Sequence, residues 1–138
     1  MSTFTPANPA KAGRPFDPTW FAGAAAIAAL LNMLIFWIGK SGGASMTLDA
    51  GAYDTITWIM AGGATLAALA LGGAVTWFVT LRRPSFLRIA LWGGLAIALV
   101  SMASPFVVAG DMRTAFSLAA MHIAGAAAWV IGLRSTGR

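Results

Sequence analysis

The sequence predicts an all-α polytopic membrane protein, a bundle of four transmembrane helices with both termini in the cytoplasm. Three observations carry that expectation. Hydrophobic residues make up 59% of the chain and charged ones only 9%, where a soluble domain carries about a quarter charged residues. Four apolar stretches of about twenty residues recur, each long enough to cross a hydrocarbon layer about 30 Å thick. The basic residues gather at the ends of those stretches. Lys11, Arg14, Arg82, Arg83, Arg88, Arg134 and Arg138 fall on one side, and Lys40 and Arg113 on the other. The positive-inside rule makes the first side cytoplasmic. One transmembrane domain is therefore expected over 18–134 of a cytoplasmic (inner) membrane protein, with polar tails at 1–17 and 135–138.

The first tail holds Pro6, Pro9 and Pro15 among Ser, Thr and Asn, a mixture that cannot bury a core and reads as disordered. A polar segment ahead of so long an apolar run argues against a cleavable signal peptide. Asp17 and Pro18 read as the N-cap and first position of a helix. The first span, about 20–39, has Trp20 and Trp37 at its ends, where indoles sit in the headgroup zone. Asn32 is its one strongly polar residue. Lys40 closes it, and Ser41 to Ala52, with Gly42, Gly43 and Gly51, is expected to be a flexible loop.

Asp54 or Thr55 can cap the second span, about 56–81, which contains the pairs Gly62-Gly63 and Gly72-Gly73. Arg82-Arg83-Pro84 stops it, and Ser85 can cap the third, about 88–110, where Pro105 should introduce a kink. Gly110 to Thr114 is a tight turn into the fourth span, about 115–133. There Ala120, Ala124, Ala128 and Gly132 recur every fourth residue. The second span repeats the device with Gly63 and Ala67, and with Ala64, Ala68 and Gly72. Small-residue stripes let helix backbones approach closely, here within the bundle or, as the other use, in a homo-oligomer.

Depth along the spans places Asn32, Thr65, Ser101 and His122 at one level somewhat outward of the membrane centre. Met33, Met102 and Met121 lie beside them. A polar side chain at that depth must find a partner, so a bond from His122 to Asn32 or to a backbone carbonyl would lock the bundle. The same layer could instead line a ligand site or an ion path. Histidine with methionine sulfur suits Cu(I) or haem iron. One histidine among core methionines is not a spaced ligand motif, so no metal and no cofactor are expected. At the outer face Asp54 and Asp111 read as helix caps, and an Asp111–Arg113 or Asp54–Arg113 pair would be exposed and weak.

The absence of cysteine excludes disulfides and thiolate sites. The chain has no glutamate and shows no triad, phosphate loop or metalloprotease signature. Its basic residues form no aromatic-interleaved patch of the nucleic-acid-binding kind. Met121-His122 in the last span, with a proline-containing third span after a basic loop, resembles an uncharacterised family of small four-span actinobacterial membrane proteins. That resemblance implies a fold and a location, with no activity attached. The leading reading is a non-catalytic accessory or binding bundle that docks on a larger membrane protein or on itself. A small transporter or channel through the layer around His122 comes second. An intramembrane enzyme with His122 as acid/base on a lipid or quinone-like substrate comes third. The expected partners are the lipid bilayer and a homo-oligomer or membrane-protein mate, and no nucleic acid.

Overall fold

Asp17 opens the first helix as its chemistry dictates. Its carboxylate accepts from the Thr19 and Trp20 amides at 2.9 and 3.3 Å, and Pro18 follows at the first helical position. The computed structural model describes residues 16–51 and 53–134; most of the expected first tail and all of the last lie outside them. Within them the helices are α1 (Pro18–Ser41), α2 (Trp58–Thr80), α3 (Phe86–Ser101), α4 (Pro105–Val108) and α5 (Met112–Arg134). With α3 and α4 taken together, four helical segments are long and apolar enough to cross a membrane. No strand forms among the described residues, only isolated bridges of Thr47 with Thr55 and of Leu48 with Ala109.

Pro105 does more than kink the third span. The helix ends at Ser101, turns over three residues and restarts at Pro105 as α4. Proline cannot donate to the ladder and clashes with the carbonyl four residues back. The serines of this turn bond back to their own helix, Ser101 Oγ to the Ala98 carbonyl and Ser104 Oγ to that of Ser101. Two capping expectations are corrected. Thr57, not Asp54 or Thr55, caps α2, accepting from the Met60 amide at 3.2 Å. Ser85 stands at the N-cap position of α3, but with an αR backbone and no side-chain cap bond.

α1 packs along both α2 and α5; α3 leans mainly on α5, and α2 and α3 meet only sparsely. At one end of the bundle the packing turns on Phe21. Its ring lies against Gly73 of α2 and Gly132 of α5, where an added Cβ would come within 2.5 and 2.6 Å of it. It also meets Trp129 edge-on, with ring centroids 5.5 Å apart. The stripe of α5 thus reaches its partner at its lower half, where Ala128 and Gly132 are buried. In α2 Gly72 meets the Trp129 ring, as its stripe predicts, but Gly63 does not pack. Gly62 packs on Met33, whereas Gly63 has no neighbour within 4 Å, because adjacent residues point about 100° apart on a helix.

The loop expected to be flexible is folded across the other end. Met46 is 1% exposed and inserts among Phe36, Ala61 and Met121. Its backbone adopts φ 59°, a left-handed conformation uncommon for residues other than glycine. The Met46 amide donates to Thr114 Oγ1 at 2.9 Å. Asp111 accepts from the Ser45 amide and hydroxyl and from the Thr114 amide and hydroxyl. Asp111 is therefore the α5 cap that its position suggested, and a clamp on the loop besides. Arg113 pairs with neither aspartate: its Nη1 donates to the Gly42 carbonyl at 2.9 Å. Gly43, at φ 86°, leaves room for that guanidinium.

Two predictions follow from this packing. Gly73→Val and Gly132→Val should each lower stability by about 1–3 kcal/mol, the scale of an overpacked core, while Gly63→Ala should not. Thermal unfolding in detergent reads this, and equal melting of all three variants would refute it. The second concerns pH. Hydrogen bonds from Ser45 and Thr114 hold the Asp111 carboxyl well below the usual carboxylate range. A carboxyl group lowered on folding contributes stability in full above its unfolded pKa and loses it as pH falls through the folded value. Protection of the Ser45 amide against hydrogen exchange should then persist at pH about 3, where an ordinary aspartate is mostly protonated. Loss of protection near pH 4 would contradict it.

Candidate functional site

A cavity of about 670 Å³ lies where α2 and α3 meet only sparsely, bounded at its back by α5 and Asn32 of α1. One stripe of α2 faces it: Met60, Ala64, Thr65, Ala68 and Gly72. Spaced at four with Thr65 beside them, they share one side of the helix. From Met60 to Gly72 the helix rises about 18 Å, which sets the length of the groove. α5 contributes Met121, His122, Gly125, Ala126 and Trp129, and α3 contributes Gly94, Ile97 and Ala98. Eight of the twenty lining residues are glycine or alanine, and there the facing helices leave space that larger side chains would fill.

Trp129 ends the groove. Its ring lies against Gly72 of α2 and Gly94 of α3, where an added Cβ would come within 2.9 and 2.2 Å of it. Its indole Nε1 donates to the Ala90 carbonyl of α3 at 3.1 Å. A buried indole needs such a partner. Leu48, Tyr53 and Ile56 of the loop line the opposite end. The groove therefore runs from the loop down to the Trp129 wedge.

Asn32 is 2% exposed. Its Nδ2 donates to Thr65 Oγ1 at 2.6 Å and to the Met121 carbonyl at 3.2 Å, tying α1 to α2 and α5. Thr65 gives its own hydroxyl hydrogen to the Ala61 carbonyl at 2.8 Å, so its oxygen can only accept from Asn32. Both neighbours of Nδ2 are acceptors, and that assigns the amide orientation. Asn32 Oδ1 is then left buried without a partner among the described residues. Such an atom is uncommon, since buried polar groups are nearly always bonded.

His122 is half-buried on the same groove. Its Nδ1 lies 2.8 Å from the Leu118 carbonyl one turn back. A carbonyl only accepts, so Nδ1 carries the hydrogen, and in the neutral ring Nε2 is an acceptor. The bond stays within α5. His122 therefore does not lock helices together; Asn32 does.

The layer expected from the sequence is thus assembled in part. Asn32, Thr65 and His122 line one groove, and Met121 lines it beside them. Ser101 does not; its hydroxyl is engaged with Ala98 on its own helix. Met33 packs on Gly62, and Met102 sits in the turn after α3. The sulfur atoms proposed as partners of His122 are therefore not gathered on the groove. Among the described residues no group of three His, Cys, Asp or Glu side chains is placed to hold a metal. Ala64, Ala68 and Gly72, expected as a packing stripe, form the groove wall, and of the three Gly72 also packs on the Trp129 ring. Ala120 and Ala124 lie half-buried above the Ala128–Gly132 contact. Trp129 and Tyr53 were not anticipated as site residues. The available signal for Trp129 was its distance from the span's end and the glycine pairs that a large ring could enter.

The family model that matches residues 15–138 is described as a family of unknown function, DUF6069. The chain belongs to that family. The match covers all four helical segments and the loop that caps them. No curated protein and no solved structure matches this DUF6069 member.

The Asn32–Thr65 bond is measurable. A double-mutant cycle of Asn32→Ala and Thr65→Val should give a coupling of about 0.6 kcal/mol and at most about 1.7, the range for hydrogen bonds between membrane helices. Unfolding in mixed micelles yields the four free energies. A coupling indistinguishable from zero would mean that the two side chains do not cooperate.

Proposed function

We propose that this DUF6069 protein is a non-catalytic membrane bundle that takes a lipophilic molecule from the bilayer into the groove between α2, α3 and α5. The observation that carries the reading is the groove itself, about 670 Å³, walled by apolar residues of mixed size and edged by Asn32, Thr65 and His122. Ligand sites are of this kind, a largely apolar cavity with a few convergent polar groups. In a bilayer, lipid chains compete for the space and no water drives the helices to close it.

The groove also bears on the other readings. A transport path would have to continue past Trp129, whose ring spans from Gly72 to Gly94 and is bonded to Ala90. The His122 Nδ1 is engaged with its own helix, and the neighbouring Thr65 hydroxyl and Asn32 amide are bonded within the protein. Binding is therefore favoured over passage or chemistry. Membership in an accessory assembly is compatible with it, the outer apolar faces of α2 and α3 being free to meet lipid or a partner. We place the protein in a cytoplasmic membrane with both termini inside, on the seven-to-two split of its basic residues.

Ala68 lines the groove, while Ala67 next to it faces outward. Native mass spectrometry of gently extracted protein should show a retained small-molecule mass in wild type and in Ala67→Trp, and its loss in Ala68→Trp. Retention in both variants, or no adduct in the wild type, would sink the binding reading.

A further inference from the structure

We infer that the molecule held in the groove is an uncharged lipid with a hydroxyl head, received as a hydrogen-bond donor by His122 Nε2. The inference deepens the binding reading above and rests on it. Its ground is the inventory of polar atoms on the groove. Asn32 Nδ2 uses both hydrogens, on Thr65 and Met121. Thr65 gives its only hydrogen to Ala61. Trp129 Nε1 gives its only hydrogen to Ala90. His122 gives its Nδ1 hydrogen to Leu118. Apart from the Tyr53 hydroxyl beside the loop, every side-chain donor on the groove is engaged within the protein.

What remains is a pair of acceptors. Asn32 Oδ1 is buried without a partner, and His122 Nε2, the acceptor whenever the ring carries a single hydrogen on Nδ1, has none among the described residues. They stand at one level, because the Asn32 amide rests on the carbonyl of Met121, the residue before His122. The acceptors left over, His122 Nε2 on the groove and Asn32 Oδ1 buried behind it, are complementary to an O–H or N–H group. They offer nothing to a ketone, an ester or an ether, whose oxygens are acceptors too.

Charge narrows the class further. The groove lining contains no Lys, Arg, Asp or Glu. A phosphate head would enter without a cation, and an ammonium donor without a carboxylate, and burying an unpaired charge is strongly unfavourable. A neutral alcohol brings the donor without that penalty. A long-chain alcohol, a diacylglycerol, a polyprenol and the reduced form of a quinone share this chemistry. The apolar walls, about 18 Å along α2, take the chain.

Hexadecanol and methoxypentadecane have the same number of heavy atoms and differ in the donor. Titrated into the full-length protein in nanodiscs and read by native mass spectrometry, the alcohol should bind about fivefold tighter, the scale of one net hydrogen bond. In His122→Phe, which keeps a flat ring of similar size, both should still bind and the preference should fall to near unity. Equal affinities in the wild type would overturn the hydroxyl inference and leave the groove reading standing. A preference that survives in His122→Phe would also overturn it. Binding of neither compound would remove the groove reading, and this inference with it.

Discussion

The bundle depends on where a single primary amide can place its hydrogens. Asn32 sits at mid-helix in α1, 2% exposed, where hydrocarbon offers no alternative partner. Its two N–H groups reach a threonine on α2 and a backbone carbonyl on α5. One side chain thereby fixes the register of three helices. Small residues let those helices come close, and the amide sets how they slide and rotate once close. The arrangement also leaves Asn32 Oδ1 behind the groove without a partner. The element that organises the fold and the element that makes its site chemically distinctive are thus the same side chain.

Packing at the two ends of the molecule leaves the groove in between. Around Phe21, glycines at 73 and 132 admit an aromatic ring and helices pack tightly. Under the loop, Met46 fills the space between α1, α2 and α5. Between these plugs α2 presents Ala64 and Ala68 to α5's Gly125 and Ala126, and nothing large fills the gap. In water such an apolar cleft would tend to collapse, since burying its surface is favoured by about 25 cal/mol per Å². Among lipid chains that driving force is missing. An open groove is therefore compatible with a stable bundle.

How much of this could be read from the residues follows the physics of each signal. Span number, the Asp17 cap and the interruption at Pro105 were legible because each rests on local backbone chemistry or on length. Asn32 and Thr65 were placed at one depth by counting residues, and they meet. Ser101, placed by the same count, does not join them, since depth says nothing of rotation about the helix axis. Rotation also misled the reading of α2, where Gly62 rather than Gly63 meets a neighbour and Ala64 with Ala68 lines a groove. The loop looked flexible because Gly42, Gly43 and Gly51 suggest freedom. Its order comes from Asp111 and Thr114, about 65 residues further along, a distance that no local pattern spans.

The loop also decides what kind of opening the groove has. Leu48, Tyr53 and Ile56 reach it only because Ser45 and Met46 are held by the first turn of α5. The Asp111 carboxylate that holds them stands at that helix's N-terminus, where backbone N–H groups favour a negative charge. Charge outside the membrane thus shapes an uncharged pocket within it. At the other end Trp129 performs the converse task, an apolar ring braced by one indole bond. A passage would need both ends to yield, the loop clamp and the tryptophan wedge. They rest on different interactions at the two ends of α5, the Asp111 and Thr114 bonds at its start and the Trp129 indole bond further along. In the binding role proposed above, a groove braced at each end receives its occupant from the side, and the bilayer supplies that side.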